Sequence, residues 1–241
     1  MKKLFFLGVI LTSIIMMIVV VTPEVMADTV NVTRVNGYYS GNGGEFTLFP
    51  SFAVPSDYVP GKTSGIVVGA APNFQSFCVE TTEYVDVPGG PYQVVLNSGA
   101  IYGDGGGNGS FDPLSQGTAW LYHQFQLGIL SGYDYTPPGR DASADLLQKA
   151  IWYLEDESGG VNDSYVTLAV TQFGSLANAK ADNNGLYPVG ILNLWDVGYV
   201  GVSGHQHQDQ LVCVPVPEPG TLLLVGAGLL GLGAKFRRRK K

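Results

Sequence analysis

The sequence predicts an α+β fold: a β-rich domain, sandwich- or barrel-like in its sheets, that carries a small helical subdomain. Three observations predict it. The chain holds 33 Gly, 14 Pro and 13 Tyr and is only 14% charged, a composition of short strands and turns rather than of solvated helices. Strand-like runs bounded by Gly, Pro and Asn occupy both flanks of the central region. Between them two segments switch to helical spacing, and strands, then helices, then strands is the order of an α+β domain.

The two ends are separate from that domain. Residues 1–27 carry Lys2 and Lys3, an apolar run and then Val25-Met26-Ala27, the n-region, h-region and small-residue cleavage site of a secretory signal peptide. An uncleaved membrane anchor is the competing reading of the same run. Residues 215–241 hold Pro217-Glu218-Pro219, an apolar Gly/Leu stretch and a basic end that includes Arg237, Arg238 and Arg239. A short apolar helix followed by a basic cluster enters the inner membrane with the cluster cytoplasmic. Its length and its glycines suit transient residence better than permanent anchoring.

Residues 28–214 remain as one exported domain without repeats. The precursor has 13 basic and 20 acidic residues. Eight of the basic and two of the acidic ones lie in the end segments, leaving five against 18 and a net charge of −13. Such a surface excludes nucleic-acid binding, whose footprint is a basic patch. It suits an extracellular protein, one able to attract cations.

Taken in order, residues 29–35, 44–49 and 65–70 read as strands, with Asn42-Gly43-Gly44 as a hairpin turn. Residues 74–80 alternate, with Phe77 and Val79 on one side and Ser76, Cys78 and Glu80 on the other. Residues 84–87 and 92–96 continue the sheet. The loop from Asp104 to Asp112 offers calcium-like oxygens but lacks the closing Glu of an EF-hand, so no metal is assigned to it. Residues 115–127 have helical spacing, with Leu121 and Phe125 as the apolar pair. Residues 143–157 make the clearest amphipathic helix, with Leu147, Ile151 and Leu154 on one face, Ser143 or Asp141 as N-cap and Gly159-Gly160 beyond its end. Residues 164–173 and 176–181 are helical or irregular, and 189–194 and 208–212 return to strand.

Gln148 breaks the second helix's pattern, because its carboxamide lies on the face that must pack, beside Ile151 and Trp152. A buried amide needs partners. Cys78 and Cys213 are the two cysteines, and in an exported chain a Cys78–Cys213 disulfide is the default expectation. His205 and His207 alternate on a strand and could face a metal, although an exposed polar loop is the simpler reading. Glu155, Asp156 and Glu157 read as a solvated helix end. No nucleophile elbow, zincin or phosphate-loop motif is present, although a hydrolase that uses distant carboxylates would leave no local motif.

Two resemblances add to this. Pro217-Glu218-Pro219, the apolar helix and the arginines resemble the PEP-CTERM sorting signal of Gram-negative bacteria. That likeness implies removal of the tail by an exosortase at the inner membrane and export to the cell surface or to an exopolysaccharide or biofilm matrix. Phe77-Cys78-Val79-Glu80, followed by Leu147-Gln148-Lys149-Ala150-Ile151-Trp152, resembles the thioester domains of Gram-positive surface adhesins, departing at Leu147, where those usually carry threonine. This second likeness implies an internal thioester between Cys78 and Gln148, supported by Phe77, Glu80, Ile151 and Trp152. Trp120 and Tyr122 would help exclude water, and Glu80, His123 or Tyr122 would move protons. It implies single-use attachment to amines or hydroxyls on polysaccharide or surface protein, with no cofactor and no turnover. The alternatives are a non-covalent matrix or polysaccharide-binding protein with the Cys78–Cys213 disulfide and, more weakly, an exported hydrolase.

Overall fold

The computed structural model describes residues 28–54, 58–67, 69–101 and 111–214. Both end segments and most of the 104–112 loop lie outside the described residues. Strands β1 (Thr29–Thr33), β2 (Phe46–Pro50), β3 (Phe74–Ser76), β4 (Gly89–Asn97), β5 (Gly99–Ile101) and β6 (Phe111–Pro113) precede the helices. Helices α1 (Gln116–Gln126), α2 (Arg140–Leu154), α3 (Ser164–Phe173) and α4 (Leu176–Ala179) follow, and β7 (Val189–Trp195) and β8 (Gln206–Cys213) end the domain. The α+β class and the central helical insertion are as the sequence predicts.

One antiparallel sheet runs β3-β2-β1-β4-β7-β8, and β5 and β6 form a small second one. The large sheet curls until its two edges meet. Residues 77–79, which continue β3, lie against β8: Leu211 N–H donates to Phe77 O at 3.0 Å, Val79 N–H donates to Asp209 O at 3.2 Å, and Cys78 pairs with Gln210. Ser76 Oγ also donates to Leu211 O at 2.7 Å. Curling satisfies edge groups that an open sheet would leave bare.

The strands follow their side chains. In β1, Val30 and Val32 point into the core while Asn31 faces out, the period-2 pattern of a half-covered strand. Every residue of β7 is buried; its apolar run is interrupted by Asn193, whose amide is satisfied by Gly99 O and Asp209 Oδ2. Helix α2 lays Leu147, Ile151 and Leu154, all at most 1% exposed, against the core. Each such side chain contributes roughly 1.5–3 kcal/mol of burial.

Several expectations are corrected. The described residues of 65–70 form no strand, because Asn73 holds a turn there: Gly65 N–H donates to its carbonyl and Ile66 N–H to its Oδ1, each at 2.9 Å. Residues 84–87 form none either, whereas β5 and β6 lay unsignalled in the Gly-rich stretch. Asn42-Gly43-Gly44 is not a tight hairpin, since the register runs Thr33↔Thr47 and leaves a long connection between β1 and β2. Helix α2 begins at Arg140, so both expected caps, Asp141 and Ser143, lie inside its first turn; Ser143 Oγ instead bonds Gly139 O and Asp134 N–H. Glu155 and Glu157 are not solvated; each is 7% exposed. Glu155 accepts from Ser115 Oγ at 2.6 Å, and Glu157 from the backbone and hydroxyl of Thr81 at 3.1 and 2.9 Å.

Candidate functional site

The site sits where the curled sheet meets α2. Closing the sheet fixes the backbone of Cys78 against β8, and the apolar stripe of α2 turns Gln148 toward it. The carboxamide and the cysteine then satisfy each other. Cys78 N–H donates to Gln148 Oε1 at 3.2 Å, Gln148 Nε2 donates to Cys78 O at 2.8 Å, and Cys78 Sγ lies 3.3 Å from Oε1. Both residues are at most 1% exposed. The anomaly of an amide on a packing face thus resolves into contact with one residue, 70 positions earlier in the chain.

The surroundings keep the pair dry. Phe77 packs edge-on against Tyr122 and Phe125 of α1, with ring centres 6.5 and 5.1 Å away. Ile151 is fully buried on the same face of α2 as Gln148. The β1–β2 connection passes over the amide at Gly43, where an added Cβ would lie 2.5 Å from Gln148 Cγ and 3.1 Å from Trp152 Cη2. Only a glycine allows so close an approach. Arg34 pins this connection by donating to Gly41 O at 3.1 Å and Asn42 O at 2.5 Å, its guanidinium stacked on Phe46 4.3 Å from the ring centre. Burial pushes the Cys78 thiol up to about 12, against the opposing pull of the Trp152 indole and the Arg34 guanidinium. The thiol is therefore neutral, and its proton faces the amide oxygen.

A cleft of about 640 Å³ opens beside the pair, lined by Arg34, Phe46, Thr81, Tyr84, Trp152 and Gln208 among others. Its size is that of a small-molecule site. Trp152 and Arg34 belong both to this cleft and to the surroundings of Cys78.

The other expected residues fall elsewhere. Cys213 is buried but is not bonded to Cys78. Cys78 pairs with Gln210, and the three-residue offset along β8 amounts to about 10 Å, beyond disulfide reach. The backbone N–H of Cys213 donates to Tyr58 OH at 3.1 Å. The default disulfide is therefore corrected. Trp120 packs on Phe173 rather than near Cys78. Tyr122 gives its hydroxyl to Gln75 O at 2.9 Å and meets Tyr58 OH at 2.7 Å. His123 lies beside the Tyr187 ring. His205 and His207 both bond Asp196, each at 2.9 Å, so each spends a ring nitrogen on the same carboxylate.

Glu80 joins a group that sequence reasoning did not assemble. Glu80, Glu83 and Asp209 place carboxylate oxygens within 4.8 Å of one another, all buried. Burial raises all three above the usual carboxylate range, and nearby charge adds to it: Asp209 and Glu83 for Glu80, Glu83 for Asp209, and Glu157 for Glu83. The only prior signal was the acidity of the exported domain, since Asp209 lies more than 120 residues from Glu80.

Among known proteins, the PEP-CTERM protein-sorting motif matches residues 215–239. The motif marks an exported protein whose tail is processed at the membrane by an exosortase. No curated protein and no solved structure matches the chain. The thioester-domain resemblance thus gains nothing from these comparisons.

Proposed function

We propose that the exported domain is a single-use covalent attachment module, in which Cys78 and Gln148 condense to an internal thioester. The observation that carries this reading is the 3.3 Å approach of Cys78 Sγ to Gln148 Oε1 inside a buried contact. Proximity of this kind replaces an encounter between separate groups by a step within one fold. The thiol sulfur adds to the carboxamide carbon as its proton passes to the amide, and ammonia departs, leaving an S–C(=O) bond. The Cys78 N–H, which bonds Oε1 at 3.2 Å, stabilises the oxygen as it gains charge in that addition. Phe77, Ile151, Trp152 and the Gly43 connection keep water from the acyl carbon.

A target amine or hydroxyl entering the cleft then attacks the acyl carbon. The product is an amide or ester of Gln148, and the Cys78 thiol is regenerated. Nothing resets Gln148, so the chain acts once and is not an enzyme in the turnover sense. Export to a surface or matrix supplies polysaccharide or surface protein as the target class.

The exported hydrolase finds less support. Its acid pair would have to face a sugar, whereas Glu80, Glu83 and Asp209 are 1%, 7% and 1% exposed.

Intact mass tests the proposal. The purified exported protein should weigh about 17 Da less than its sequence, the mass of the ammonia expelled. Cys78→Ala and Gln148→Ala should each restore the full sequence mass. Methylamine should add its mass to the wild type and expose one thiol. A full sequence mass in the fresh wild-type protein defeats the covalent reading and leaves a non-covalent matrix protein.

A further inference from the structure

We propose that Glu80, Glu83 and Asp209 form a calcium site that ties the segment following Cys78 to β8. This stands independently of the thioester. Three buried carboxylates with oxygens within 4.8 Å would carry a charge of −3 if ionised, in surroundings where repulsion is poorly screened. The exported domain has five basic residues, Arg34, Lys62, Arg140, Lys149 and Lys180. Among the described ion pairs, none joins one of them to this cluster. Glu157 adds further negative potential nearby.

A second observation points to a ligand. Glu80 is 1% exposed, and among the described residues its side-chain oxygens meet no hydrogen-bond donor, only the facing carboxyl of Glu83. Protons alone do not remedy this. One proton shared between Glu80 and Glu83 engages one oxygen of each and leaves the second Glu80 oxygen buried without a donor, which is unfavourable. A divalent cation neutralises the charge and occupies the oxygens together.

The donor set selects the ion. It is all oxygen, with no imidazole or thiolate, which favours a hard cation over zinc or copper. Calcium takes oxygens at about 2.3–2.6 Å, so ligands up to about 4.8 Å apart can share it, and it tolerates irregular geometry. Magnesium needs shorter bonds and a stricter octahedron. Asp209 is already oriented, since its Oδ2 accepts from Asn193 Nδ2 at 2.6 Å and from Ile101 N–H at 3.0 Å. Such outer partners commonly fix metal-ligating carboxylates.

The test is calcium titration of the purified protein after EGTA treatment, at pH 8, by calorimetry and thermal melting. The expected result is one calcium ion per chain and a raised melting temperature. Glu80→Gln should weaken binding by about tenfold or more, because the site loses a ligand charge, while its melting temperature in EGTA stays at or above that of the wild type. Glu83→Gln provides the same measurement should Glu80→Gln fold poorly. No heat and no melting shift in the wild type overturn the proposal. So does binding that survives both variants but disappears in Asp104→Asn, which would place the ion in the glycine loop.

Discussion

Replacing Gln148 by Glu in a Cys78→Ala background tests the contact at the centre of the site without the covalent chemistry. Cys78→Ala removes the sulfur but keeps the backbone N–H and C=O that bond the carboxamide at 3.2 and 2.8 Å. A glutamate has the same shape and keeps an acceptor for the N–H. Opposite the carbonyl it offers a donor only while protonated. When ionised it sets a buried charge against a carbonyl oxygen, at a position 1% exposed. Its folded-state pKa must therefore rise, and buried carboxyls rise by up to 3–5 units. At about 1.4 kcal/mol per unit, a two-unit rise makes the variant about 3 kcal/mol less stable at pH 7.5 than at pH 4 relative to its Cys78→Ala parent. The sign follows from linkage: the folded state holds the proton more tightly, so stability falls as pH rises from the unfolded value through the folded one. Urea unfolding of both proteins at the two pH values measures the difference. An equal deficit at both pH values would mean that this carboxamide does not bond the Cys78 carbonyl.

The remaining predictions concern the frame around the site. Gly43→Ala should destabilise the fold by about 1–3 kcal/mol, read from urea unfolding, because its Cβ would lie 2.5 Å from Gln148 Cγ. Arg140→Ala should cost about 3–5 kcal/mol, since it strands a buried Glu45 that Arg140 Nε and Nη2 hold at 2.6 and 2.7 Å; thermal melting will show whether the loss is that large. Burial raises Glu155 to about 7, so its contribution falls as pH rises from its unfolded value near 4.5 through 7, by roughly 3 kcal/mol. Glu155→Gln should remove that part of the slope in a pH series of melting curves. With the thioester blocked by Gln148→Ala, Cys78 should resist iodoacetamide at pH 8 in the folded protein and react in urea, as a buried thiol raised to about 12 requires; equal reactivity in both states would contradict its burial.

What the sequence disclosed and what it hid divide along the range of the interactions. Helix α2 was legible because Leu147, Ile151 and Leu154 repeat at local spacing, and Gln148 stood out against that repeat. Its true start was not, because Arg140 belongs to the helix through a partner, Glu45, that lies 95 residues away. Glu155 and Glu157 read as solvated for the same reason, their partners Ser115 and Thr81 being 40 and 76 residues distant. Strand β6 lacks a covered apolar face to announce it, with Phe111 49% exposed, and three-residue β5 offers only Ala100 as a buried apolar side chain.

The same distinction explains why Gln148 and the carboxylate cluster differ in legibility. An amide on an apolar face violates a local pattern, so one residue suffices to raise the question and the cysteine answers it. Glu80 and Glu83 violate nothing locally, since an acidic residue on the polar side of a strand end and another in the turn beyond it are ordinary. They become unusual only when sheet closure brings Asp209 of β8 alongside and excludes water from all three. The closing seam therefore creates both features at once: it fixes the backbone of Cys78 for Gln148, and two residues later it concentrates negative charge. A sheet opened at that seam should lose both, so calcium binding and the mass deficit should vanish together in any variant that separates β8 from residues 77–79. Ser76→Ala is a milder perturbation of the same seam, as it removes the hydroxyl's bonds to Leu211 O at 2.7 Å and Phe77 O at 3.3 Å and leaves the backbone pairs in place. If it abolished one property and left the other intact, the seam would not be their common origin.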